Sequence, residues 1–104
     1  MTIYLVYSFY PKLNQAKKIA KLVIKKKLAA CVNINKNISS LYIWKNKMFD
    51  HNEVELSFKT NDKKVKKLIS FLELNHPYEC PAIMAFPIQK TNDKFLNWVK
   101  GQIT

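Results

Sequence analysis

The chain has 104 residues, 48% of them hydrophobic, and a net charge of +11, which allows one domain with a single core and leaves no room for a second. Its one glycine, Gly101, excludes both a P-loop and a GxGxxG dinucleotide loop. Every basic residue is lysine, so the arginine fork that reads guanine edges and clamps phosphates is missing, and no specific nucleic-acid partner is expected.

Residues 2–9, "TIYLVYSF", are β-branched and aromatic and apolar on both faces, which predicts a strand buried within a sheet. Beyond Pro11, apolar residues at Leu13, Ala16, Ile19, Ala20, Val23 and Leu28 draw one stripe along a helix of about four turns. Lys17, Lys18, Lys21 and Lys25 fall on its other side. "AACVNIN" alternates, with Ala30, Val32 and Ile34 on one face and Cys31, Asn33 and Asn35 on the other. After a break at "KN", "ISSLYIWK" predicts a second extended piece on which Ser40, Tyr42 and Trp44 share a face. "NKMFDHN" reads as a hairpin loop that leaves His51 exposed. "EVELSFKT" is the clearest strand, with Val54, Leu56 and Phe58 opposite Glu53, Glu55, Ser57 and Lys59.

Asn61 or Asp62 is placed to cap a second helix with the stripe Val65, Leu68, Ile69 and Leu72, which Pro77 terminates. "AIMAFPI" predicts a short apolar strand, at an edge or a bulge because of Pro87. Thr91 or Asn92 opens a terminal amphipathic helix carrying Phe95, Leu96 and Val99. The order β-α-β-β-α-β plus a C-terminal helix, with no linker across 1–104, predicts a single α+β domain of the ferredoxin-like, split-βαβ kind. The three helices are expected to cover one sheet face. The other face carries Tyr, Trp, Cys and Asn side chains that one small domain cannot bury, so it calls for a partner.

No stretch approaches the roughly 20 apolar residues of a membrane span, so no membrane partner is expected. The N-terminus lacks a basic n-region and a small-residue cleavage site, which makes a cytoplasmic location the expectation and Cys31 and Cys80 reduced thiols. No nucleophile–base pair is visible, and Ser39 and Ser40 lie in a strand without a nucleophile elbow, so the chain does not read as an enzyme.

Three stretches in register, "KLAACVNI" (27–34), "SSLYIWKNK" with "EVELSFKT" (39–47 and 53–60) and "NHPYECPAI" (75–83), resemble the CutA family of divalent-cation tolerance proteins. The resemblance spans essentially the whole chain. It implies a homotrimer packed through its sheets, PII-like in build, tied to tolerance of copper and other divalent ions and not established as catalytic. Two departures stand out: Lys45 and Asn46 follow the Tyr-x-Trp where the family usually has an acidic residue and glycine, and Ala82 replaces the usual glutamate.

Within that frame Cys31, His76 and Cys80 are the candidate metal ligands, since thiolate and imidazole favour copper over magnesium or calcium. One chain offers too few of them for a closed site, so copper or another divalent ion is expected to bind weakly, with neighbouring subunits contributing. The alternatives are packing for Cys31 and capping of the second helix for His76. Tyr42, Trp44, Lys59, Tyr78 and Glu79 are the candidate lining of a ligand cleft, although the aromatics also suit an interface and Lys59 and Glu79 also suit each other. Two further readings stay open: a PII-like module taking a small anionic ligand between subunits, and a trimer that anchors an unidentified partner protein.

Overall fold

A computed structural model describes residues 1–103. Strand β1 (Ile3–Tyr10) leads to helix α1 (Leu13–Lys25), the hairpin β2 (Cys31–Trp44) and β3 (Lys47–Asn61), helix α2 (Val65–Leu74), strand β4 (Ile83–Pro87) and helix α3 (Asp93–Ile103). The sheet order is β2-β3-β1-β4, and all neighbours are antiparallel. Each helical crossover therefore joins two strands with one strand between them, which is the split-βαβ arrangement expected from the element order.

Alternation decides which side of the sheet is dry. Val6, Ser8 and Tyr10 share a face with Val54, Leu56 and Phe58, and α1 and α2 close over it with Ala16, Ile19, Ala20, Val23, Leu68 and Leu72. Removing each such Val, Leu, Ile or Phe side chain from water contributes roughly 1.5–3 kcal/mol. α3 does not extend this layer, contrary to the sequence expectation. Its Val99 and Ile103 make a separate cluster with Ile3, and Ile3 alternates with Leu5, Tyr7 and Phe9 on the opposite sheet face. That opposite face bears the paired rows Cys31–Lys59–Leu5–Phe86 and Asn33–Ser57–Tyr7–Met84, with Met84 and Phe86 exposed.

The hairpin differs most from its sequence reading. Of the segment read as a loop over 46–52, residues 47–52 are strand, and the two pieces read as separate strands are one, with a bulge between Asn35 and Ile38 that absorbs the "KN" break. The turn is only Lys45 and Asn46, at φ 52° and 65°, the left-handed pair that a two-residue hairpin needs to match the strand twist. Asn37 in the bulge and Lys27 after α1 are left-handed too. At Lys27 the bonds Leu28 N to Val23 O and Lys27 N to Ile24 O form a Schellman cap, a place where glycine ordinarily sits. Asn61 accepts the amides of Lys63 and Lys64 in the turn before α2, but the helix N-cap is Lys64, with no side-chain cap bond, rather than the expected Asn61 or Asp62. β4 is an edge strand, which accommodates Pro87.

Candidate functional site

β1 ends its pairing at Tyr10–Val54, and the β2–β3 hairpin runs on beyond it as an arm. One side of the arm presents Ser40, Tyr42 and Trp44 paired with His51, Phe49 and Lys47. The connection from α2 to β4 lies against this side, stiffened by Pro77 and Pro81. Between them is a cleft of ≈ 460 Å³. The arm contributes Ser40, Tyr42, Trp44, Phe49 and Glu53; β1 contributes Phe9; the connection contributes Tyr78, Glu79, Cys80 and Ala82.

Glu53 sets the electrostatics. It is 7% exposed, and the Tyr78 hydroxyl donates to its Oε2 at 2.6 Å. Burial, reinforced by this carboxylate, pushes the Tyr78 phenol far above its ordinary value, so it stays a donor throughout the neutral range. Nε2 of His51 stands 3.1 Å from the Tyr42 hydroxyl and 4.0 Å from Glu53. At the rim Lys45 meets Glu79 at 3.5 Å, with both side chains mostly in water. Among the described residues no lysine lines the cleft itself.

His76 acts below this floor. Its Nε2 donates to the carbonyl of Phe9 at 2.8 Å, its Nδ1 accepts the Tyr78 amide at 3.1 Å, and its ring stacks on Tyr10 at 4.4 Å. The last β1–β4 pair is Ser8–Ile83, so the imidazole serves a carbonyl just past the point where the edge strand stops. Both nitrogens are thus engaged in one neutral tautomer, and burial holds the ring's pKa below 6.5 against the opposing pulls of the Phe9 carbonyl and Glu53. Capping of α2, the alternative role considered for His76, is done instead by Asn75, whose side chain donates to Phe71 O at 2.9 Å.

Of the residues proposed for the cleft, Tyr42, Trp44, Tyr78 and Glu79 line it and Lys59 does not. Lys59 stands opposite Cys31 on the open sheet face and donates to Asn33, and it does not pair with Glu79. Of the proposed metal ligands, Cys80 lines the cleft and is exposed, whereas Cys31 lies half-buried at the other end of β2. Burial pushes the Cys31 thiol up while the Lys59 ammonium pulls it back. Among the described residues, no three His, Cys, Asp or Glu side chains of one chain gather as a metal site.

Sequence reasoning missed Glu53 and Phe49 as cleft residues and His51 as the partner of the Tyr42 hydroxyl. Alternation had set Glu53 among solvent-facing polar groups, and Phe49 and His51 fell in a segment read as loop. The available signal was the even spacing of Phe49, His51 and Glu53, which pair with Tyr42, Ser40 and Ile38 across a tight turn.

Split βαβ crossovers, the β2-β3-β1-β4 order and a long β2–β3 arm define a ferredoxin-like α+β domain of the PII-like kind. A family model described as "CutA1 divalent ion tolerance protein" matches residues 4–102, and the chain belongs to that family. Human "Protein CutA" is 40% identical over 94 residues, 90% of this chain and 52% of that protein. The chain spans about half the length of the first curated relatives it matches. The crystal structure of CutA1 from Oryza sativa superposes with a TM-score of 0.94 at 35% identity, covering 100% of this chain and 95% of that one. The structure titled as the periplasmic divalent cation tolerance protein CutA from Archaeoglobus fulgidus gives 0.93 at 33% identity, covering 98% and 99%. No helix among the described residues is long and apolar enough to cross a membrane.

Proposed function

We propose that the protein serves tolerance of divalent metal ions in the cytoplasm as a homotrimeric binding protein, not a catalyst, taking copper or another soft cation on thiols from neighbouring subunits. One observation carries the reading. Cys31 and Cys80 are both free and both reachable by solvent, yet among the described residues of one chain too few ligands gather to hold an ion. Assembly through the open sheet face, where Leu5, Tyr7, Met84 and Phe86 are incompletely covered, is what brings further copies of those thiols together. His76 contributes by fixing the connection that carries Cys80, since both of its nitrogens are already engaged. An anionic ligand is disfavoured, because the charge buried in the cleft is the Glu53 carboxylate and Lys59 lies elsewhere.

Metal binding must displace a thiol proton, so affinity rises with pH. The test is a copper(I) competition titration on the parent and on the Cys31→Ser, Cys80→Ser double variant. A loss of more than tenfold, about 1.4 kcal/mol or more, is expected with the assembly intact. Equal affinity in the two proteins makes the thiols packing residues and removes the metal assignment.

A further inference from the structure

The cleft has a chemistry that thiol ligation does not use. Phe9, Tyr42, Trp44, Phe49 and Tyr78 give it aromatic walls, and one carboxylate, Glu53, is buried among them with its side chain 8% exposed. Tyr78 occupies Oε2 of Glu53, and Oε1 takes no hydrogen bond among the described residues. Aromatic faces carry partial negative charge, and enclosing an ammonium group with them while a carboxylate stands nearby is the established physical means of holding an organic cation. The protein's own ammonium groups already use the same rings: Lys45 Nζ lies 5.8 Å from the Trp44 ring centre, and Lys47 Nζ lies 5.8 Å from that of Phe49.

We propose that this cleft binds a small organic ammonium ion, of the methylated or quaternary kind, with its cationic head against the aromatic walls and facing Glu53. The cleft, at ≈ 460 Å³, falls within the range of about 300–1,000 Å³ found for small-molecule sites. A weakly hydrated head of this class loses little on leaving water, whereas a bare metal ion requires a gathered ligand set, and among the described residues no three His, Cys, Asp or Glu side chains gather as one. Of the overall charge of +11, Lys45 and Lys47, which lie against the Trp44 and Phe49 rings, oppose a cation at short range, while exposed charges beyond about 8 Å are screened at physiological salt. The contribution from Glu53, inside a mostly apolar cleft, is screened far less. Cys80 lines the same cleft, but the cation is held by Glu53 and the aromatic rings, so the site stands apart from the copper reading.

The experiment is a ligand-observed NMR titration of the full chain with choline and with its uncharged carbon isostere 3,3-dimethylbutan-1-ol, in the presence of a metal chelator. Choline is expected to bind saturably and at least tenfold tighter than the isostere. Glu53→Gln, which keeps the acceptor for Tyr78, is expected to lower choline affinity tenfold or more while leaving the isostere unchanged. Trp44→Leu, at a ring 38% exposed and so of little weight in the core, is expected to lower it as well and carries the test if Glu53→Gln does not fold. Cys31→Ser, at a thiol outside the cleft and at the other end of β2, is expected to bind choline like the parent, which separates this site from the metal reading. Equal binding of choline and isostere, or choline binding unaffected in the Glu53→Gln or Trp44→Leu protein, overturns the proposal. So does the absence of saturable choline binding.

Discussion

Replacing His76 by alanine removes three interactions at once, and the structure gives their sizes. The hydrogen bonds to the Phe9 carbonyl at 2.8 Å and from the Tyr78 amide at 3.1 Å contribute about 1 kcal/mol each. The stack on Tyr10 at 4.4 Å adds roughly 0.5–1.5 kcal/mol. A loss of about 3 kcal/mol in a domain of this size lowers the melting temperature by roughly 10–20 °C at fixed protein concentration. The pH dependence has a definite sign. Because burial holds the folded pKa below 6.5, the unfolded chain takes up the proton first on acidification. The contribution of His76 is therefore complete above that value and is lost as pH falls through the lower, folded one. Thermal melts followed by circular dichroism, with the parent and His76→Gln each taken from about pH 7.5 down to about pH 5.5, should show a steeper decline in the parent. A melting temperature for His76→Ala within about 4 °C of the parent, less than 1 kcal/mol, would refute the pinning role. Identical acid sensitivity of the parent and His76→Gln would refute the protonation argument.

Lys27→Gly should stabilise the chain by about 0.5–1 kcal/mol in urea titrations, because a left-handed residue with a side chain costs roughly 1–2 kcal/mol and glycine's extra unfolded-state freedom offsets only part of that. Unchanged or lower stability would mean that the Schellman cap at Lys27 is unstrained. Nucleic-acid binding, which would run through the lysine-covered outer sides of α1 and α2, should be blind to sequence and collapse with added salt in mobility shifts. A preferred sequence that survives physiological salt would contradict the reading of those lysines as a solvated surface.

The periodic elements were legible in the sequence because burial imposes the period. The α1 stripe, the alternation of Val54, Leu56 and Phe58, and the edge placement of Pro87 each follow from which side must be dry. The arm was not legible. Its turn uses Lys45 and Asn46 where glycine is the usual signal, and a chain with one glycine must put other residues at left-handed positions. Once the turn is two residues long, Phe49 and His51 move from a loop into register with Tyr42 and Ser40, and the cleft acquires its second wall. The role of His76 was hidden for another reason: its partner, the Phe9 carbonyl, is 67 residues away, and no local pattern announces such a pair.

Native mass spectrometry of the copper(I)-loaded protein counts subunits and metal ions together, and so tests whether assembly completes a thiol site that one chain lacks. The parent should appear as three copies of the 12.2 kDa chain with copper retained, and the Cys31→Ser, Cys80→Ser variant as the same trimer without it. A monomer at micromolar concentration, or a double-serine trimer carrying as much copper as the parent, would contradict the account.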